Sequence, residues 1–203
     1  MSSRKILEYG GFVAGAVLIV FGVVAIWMGA NAYSTVRDSL RDEQITFGDV
    51  SDPAVSKYAS QWAGEQVTTG EQARAFAQIM RYHTLNGEWN PQHLTYAEMG
   101  RFLAKADPGN AKGTSDEAAA LKDEKGSPVA NSFRNTWVTE TALTTALNVS
   151  YMAEQIALFG IIVGIALLLS GIGFIILALI VLGAGATKTV KAPGFKSGAP
   201  APS

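Results

Sequence analysis

From Ile156 to Ala186 the chain carries no Asp, Glu, Lys, Arg or His, and no other feature constrains its fold as strongly. A bilayer core about 30 Å thick is crossed by roughly 20 helical residues, so this run spans one with residues to spare. In hydrocarbon every backbone polar group must be satisfied within the segment, which leaves a helix as the form for a lone apolar run. A second uncharged run, Tyr9 to Val36, lies near the other end. The expected fold is an all-α membrane protein. Two long transmembrane helices extend out of the bilayer, and a small helical extracytoplasmic domain is inserted between them. Along the chain this divides into a cytoplasmic N-terminus 1–9, a first span 10–33, an extracytoplasmic helical domain with the helix extensions 34–154, a second span 155–186, and a disordered cytoplasmic tail 187–203.

Charge placement supplies the orientation. Arg4 and Lys5 precede the first span and Lys188, Lys191 and Lys196 follow the second, with Glu8 the one acid in either flank. That leaves 11 of the 16 basic and 16 of the 17 acidic residues in the middle. Basic residues are retained on the cytoplasmic side, so both termini are expected inside the plasma (inner) membrane and the acidic middle outside, with Arg37 and Arg41 running against the trend. The start of the chain also imitates a secretory signal, with Ala30-Asn31-Ala32 as a small-x-small site. A signal core is typically about 7–15 apolar residues. This one is longer, and Trp27 near its outer end suits an interfacial anchor, so the segment is expected to stay as a span.

Small residues line one side of each apolar helix: Gly11, Gly15, Gly22 and Gly29 in the first, Gly160, Gly164, Gly171 and Ala178 in the second. Both series step by four and then by seven. Lipid tails are as apolar as leucine, so helices associate in a membrane by close approach across small side chains. The two stripes are expected to face each other or a partner chain.

In the polar middle, Tyr33 to Gln44 contains no helix breaker and should continue the first helix. Ile45-Thr46-Phe47 reads as extended and Asp52-Pro53 as a turn. Thr68 with Glu71, Thr95 with Glu98 and Thr114 with Glu117 fit the Thr-x-x-Glu capping box. The first should open an amphipathic helix through Ala73, Phe76, Ala77, Ile79 and Met80, and the second another through Met99, Phe102 and Leu103. The third precedes a short charged stretch that reads equally as loop. Val129 to Glu154 has no Gly or Pro and carries Phe133, Trp137, Leu143, Leu147 and Tyr151, so the second span is expected to be the back half of one long helix.

The search for chemistry returns little. A formal charge of -1 offers no basic surplus for nucleic acid, and the lack of cysteine removes thiolate chemistry and disulfides. The spans hold no ionisable residue, the usual mark of a transport or proton pathway. His83 and His93, with Glu88 between them, are ten apart and match no metal-ligand spacing. No Gly-x-Ser-x-Gly occurs, and the acidic pairs Asp42-Glu43, Asp116-Glu117 and Asp123-Glu124 are neighbours that would point apart on a helix. No catalytic, metal or cofactor site is therefore expected. Asn148-Val149-Ser150 matches a glycosylation acceptor inside a predicted helix. The stretch from Arg81 to Tyr96 gathers Arg81, Tyr82, Trp89 and Tyr96 around a Gly and a Pro, the residue types of a binding surface. Trp89 plugging the middle domain onto the long helices is the competing reading.

A basic start, a Gly-rich span, Asp42-Glu43-Gln44-Ile45-Thr46, Leu94-Thr95-Tyr96-Ala97-Glu98 and a Thr-rich helix from Arg134 into a second Gly-rich span together resemble small two-span membrane proteins of actinobacteria. Members are often labelled aromatic ring-opening dioxygenase. Such an enzyme needs a histidine and carboxylate set for iron, and this chain offers no matching set. The resemblance implies an integral membrane protein of the cell envelope. The expected role is a non-catalytic accessory or scaffold subunit or homo-oligomer, partnered by membrane lipid and by other membrane chains or copies of itself. The alternative is a subunit of an oligomeric two-span channel.

Overall fold

The structure is a computed structural model that describes residues 3–186, with side chains described from Tyr9 to Ile180. The expected tail 187–203, with Lys188, Lys191 and Lys196, lies outside these residues, as do the side chains of Arg4, Lys5 and Glu8. Among the described residues there are four α-helices: α1 Ser3–Asp42, α2 Pro53–Tyr58, α3 Gly70–Asn86 and α4 Ser132–Ala186. Single 3-10 turns occupy Ser60–Trp62 and Tyr96–Glu98. Among the described residues no strand forms, only isolated antiparallel bridges. The chain divides into two compact units: the described residues up to Met28 with those from Gly160 onward, and Gly29–Phe159.

The first unit is a pair of antiparallel helices joined across glycine. Gly11 meets Ala178, Gly15 meets Gly171 and Gly22 meets Gly164, so one helix descends as the other rises. The approach is closer than any side chain permits. A methyl group on Gly15 would sit 2.7 Å from the Gly171 carbonyl oxygen, and one on Gly164 would sit 2.8 Å from that of Gly22. Each notch receives a branched side chain from across: Ile175 at Gly15, Leu168 at Gly22, Ile26 at Gly164 and Ile19 at Gly171. Gly10 and Gly173 have open space where a side chain would go. Both helices are long and apolar enough to cross a membrane, and only 11% and 17% of their most apolar stretches is buried. A core helix of a soluble protein would be mostly covered, whereas here Val13, Phe21, Phe159, Ile162 and Leu169 point outward and Trp27 is 68% exposed.

The second unit has a conventional core. α3 sends Ala73, Ala77 and Ile79 inward at helical spacing, with Phe76 and Met80 on its flank. They meet Leu40 of α1, Phe47, Ala54 and Val55 around α2, Val67, and Leu147 of α4. Phe47 stacks on Trp62 at 6.0 Å and takes Phe76 edge-on at 5.7 Å. The expected extended piece is present, with Thr46 bridged to Gln66. Asp52-Pro53 opens a helix rather than a bare turn: the Asp52 carboxylate accepts from the Ala54 N–H at 2.8 Å, and Pro53 takes the first position, where a missing N–H costs nothing.

Two expectations about helix starts are corrected. The cap of α3 is Thr69 with Gln72, one residue later than Thr68 with Glu71. The pairing of Thr95 with Glu98 exists, its carboxylate accepting from the Thr95 N–H and hydroxyl at 2.8 Å each, but it opens a single 3-10 turn and not a helix through Phe102. From Met99 to Ala130 the backbone is irregular and extended. Phe102 bridges to both Thr114 and Ala130, and Ala104 to Ala120. Gly113 and Gly126, at φ +56° and +80°, make the left-handed turns between these segments, a conformation glycine adopts without steric cost. The middle is thus only partly helical, and Thr114-x-x-Glu117 caps nothing.

Candidate partner surface

The four residues singled out around Gly87 and Pro91 each have their own partner, three of these partners on the first turns of α4. Arg81 lies over the Trp137 ring at 4.7 Å and pairs through Nε with Glu140 at 3.2 Å. Tyr82 packs edge-on against Tyr58. Trp89 stacks on Phe133 at 5.8 Å with the ring planes 6° apart, which is the plug reading: it fastens the loop after α3 onto the start of α4. Tyr96 lies under Arg134, whose guanidinium carbon is 3.9 Å from the ring centroid. Arginine over an aromatic face contributes about 0.5–1 kcal/mol when exposed and more when desolvated. Of the four, Arg81 and Tyr82 line one cavity of about 490 Å³ with Lys57, Tyr58, Gln78 and Asn148. The helix-packing residues Gly11, Gly15, Gly22, Gly164, Gly171 and Ala178 form the seam already described; Gly29 is buried, and Gly160 half-buried.

The histidines go separate ways. The His83 Nε2 lies 2.9 Å from the Asp52 carboxylate, and His93 Nδ1 lies 2.9 Å from the Leu85 carbonyl oxygen. Contact with His83, ahead of smaller contributions from backbone N–H groups, holds the Asp52 carboxyl below its usual range. Among the described residues no group of three or more His, Asp or Glu is placed to hold a metal ion.

The most consequential polar group, Glu154, was not among the sequence candidates. Its carboxylate is almost fully buried. One oxygen accepts from Arg37 Nε of α1 at 2.8 Å, and the other from the Gly70 N–H at 2.8 Å. Gly70 is the first residue of α3, so the carboxylate satisfies a free backbone donor at the positive end of a helix dipole. A methyl group on Gly70 would lie 2.6 Å from Glu154 Oε2 and 2.8 Å from Tyr151 Cα, so only glycine lets the helix start come this close. One side chain thereby ties α1, α3 and α4 together. Asn131 plays a similar part at the other end. It donates to the Gly100 and Ala111 carbonyls at 3.0 Å each and accepts from the Phe133 N–H at 3.1 Å, capping α4. Fully buried Asn90 closes the loop after α3 by exchanging bonds with Leu94 at 2.9 Å.

Among the described residues Glu140 and the Nε of Arg134 are exceptions to this accounting. Glu140 is buried, and its Oε1 has no hydrogen bond despite Arg81 standing 3.2 Å away. Burial raises its carboxyl above the usual range, and Arg81 offsets this only in part.

Comparison with protein-family models, with curated proteins and with solved structures finds no match for this chain.

Proposed function

We propose that the chain is a two-span integral membrane protein of the bacterial cell envelope. Both termini lie on the cytoplasmic side and residues 34–154 outside, and the protein serves as a non-catalytic accessory or scaffold subunit or as a homo-oligomer. The observation that carries this reading is the outward apolar face of the first unit. Side chains such as Phe21, Trp27, Ile162, Leu169 and Ile180 stand exposed on both helices. Each would cost about 25 cal/mol per Å² in water, and lipid or a neighbouring apolar helix removes that cost. The glycine seam is filled by this chain's own Ile and Leu side chains, which leaves the outer faces for lipid and for other chains. The same filling deprives the channel alternative of the small-residue surface it would place around a pore. The resemblance to two-span membrane proteins of actinobacteria agrees with the layout.

The test is extraction of native membranes with alkaline carbonate, then with mild detergent, and determination of the mass of what carries the protein. The proposal expects resistance to carbonate and a particle of fixed stoichiometry, containing other chains or a defined number of copies. Release by carbonate would end the membrane reading, a lone monomer the subunit reading. A closed ring that conducts ions would favour the channel.

A further inference from the structure

The cavity lined by Lys57 and Arg81 has the chemistry of a small-anion site with a polyol-binding wall. Tyr58 and Tyr82 meet edge to face with ring centroids 6.3 Å apart, and the Lys57 ammonium lies 5.0 Å from the first ring and 5.9 Å from the second. Arg81 of α3 also lines the cavity, its guanidinium stacked over Trp137. No carboxylate lines the cavity, and Lys57 has no ion-pair partner among the described residues. Glu140 pairs with Arg81 from outside the lining. The lining therefore carries two positive charges against that one neighbouring carboxylate, an imbalance an anion would relieve. The side-chain amides of Gln78 and Asn148 also line it. Asn148 Nδ2 donates to the Thr144 carbonyl at 2.8 Å, which leaves the amide oxygen to accept from a ligand hydroxyl. The volume of about 490 Å³ falls among small-ligand sites, which run roughly 300–1,000 Å³.

We propose that this cavity binds a phosphorylated polyhydroxylated ring. The phosphate sits between Lys57 and Arg81, the hydroxyls on Gln78 and Asn148, and the ring's C–H face against Tyr58 and Tyr82. Arginine grips phosphate oxygens in pairs and lysine adds a point charge. Amides of either polarity suit hydroxyls that both donate and accept. A free sugar phosphate and a phosphoinositol headgroup share this chemistry. The site is built entirely within residues 29–159 and is independent of the subunit reading.

Calorimetric titration of the full chain in phosphatidylcholine nanodiscs with glucose 1-phosphate, inorganic phosphate and glucose tests it. Glucose 1-phosphate should bind at least tenfold more tightly than either fragment. Lys57→Met should weaken it about tenfold, the loss expected for a hydrogen bond to a charged group, while Lys57→Arg retains binding and Lys105→Met, outside the cavity, changes nothing. Nanodiscs containing phosphatidylinositol that weaken the titration assign the headgroup as the source; an unchanged titration assigns the soluble phosphate. Absence of binding at millimolar concentrations, equal affinity for inorganic phosphate, or a Lys57→Met protein that binds like the parent would overturn the proposal.

Discussion

The two units are held together by opposite means. In the glycine-faced pair the contact is made by what is missing: without Cβ atoms at Gly15, Gly22, Gly164 and Gly171, the backbones come close enough for branched side chains to fill the notches. Large apolar residues face outward. In the unit from Gly29 to Phe159 large residues such as Phe47, Val55 and Leu147 are buried; two buried polar groups, Glu154 and Asn131, join segments far apart in sequence, and a third, Asn90, closes a local loop. On the proposed membrane reading the difference follows from the solvent. Burying apolar surface gains nothing where lipid is the alternative, so close packing decides. In water it gains most of the folding energy, and most buried polar groups are hydrogen-bonded.

This contrast can be broken most severely at the seam. Gly15→Leu or Gly164→Leu should cost about 3 kcal/mol or more, because the new side chain meets backbone and overpacking cannot be relieved without parting the helices. Gly10→Ala and Gly173→Ala, which meet nothing, should stay within about 0.5 kcal/mol of the parent. Thermal unfolding in detergent followed by circular dichroism compares the four, and equal melting for all would make the glycine contacts incidental.

In the other unit the largest loss should come from Glu154→Ala. Breaking a buried pair by removing one partner costs about 3–5 kcal/mol. Arg37 is about a third exposed, so roughly 2–3 kcal/mol is expected here. Fluorescence of Trp62, Trp89 and Trp137 during denaturation reports it. Asn131→Ala comes next: unpaired carbonyls at Gly100 and Ala111 and a lost cap at α4 should together cost about 2 kcal/mol.

The smallest effect is a pH dependence. Burial raises Glu140, so the folded state holds its proton more tightly than the unfolded chain. Glu140 therefore favours folding at low pH, and that contribution is lost as pH rises from the ordinary 4.5 through the raised folded value. Glu140→Gln should flatten the stability profile above pH 4.5 relative to the parent. Asp52 works in the opposite sense. Its lowered carboxyl stabilises above the ordinary 3.8, and that contribution disappears as pH falls below it. Parallel profiles for parent and Glu140→Gln above pH 4.5 would remove Glu140 from the account.

The glycine seam could be read from sequence because its signal is local: a charge-free run, a period and small residues at fixed steps. α3 is legible for the same reason, yet the sequence pattern places its start one residue early. Thr68-Thr69-Gly70-Glu71-Gln72 holds two overlapping capping frames. In the fold Gln72 Oε1 accepts from the backbone N–H of both threonines, at 2.8 and 3.1 Å. What selects Thr69 is remote: Gly70 must meet the carboxylate of Glu154, which lies 84 residues on. Nothing local marks Glu154 as buried, since its partners are distant in sequence. The same holds for the irregular stretch after Tyr96. A capping pair there predicts a helix, but the left-handed turns at Gly113 and Gly126 and the bridges of Phe102 and Ala104 prevail. Arg81, Tyr82, Trp89 and Tyr96 read in sequence as one binding surface, while the placing of Arg81 in a cavity wall and of Trp89 as a plug depends on Glu140 and Phe133 in α4.

The most direct measurement uses the absence of cysteine from the chain. A methyl carbon on Gly11 would lie 3.2 Å from Ala178 Cβ, close to the roughly 3.5–4.5 Å that a disulfide needs. The chain carrying Gly11→Cys with Ala178→Cys, oxidised in carbonate-washed membranes, should therefore form a bond within one molecule and run as a cross-linked monomer. A cross-linked dimer, no cross-link, or protein released by the carbonate wash would contradict the account of two lipid-embedded helices of one chain closing on each other through glycine.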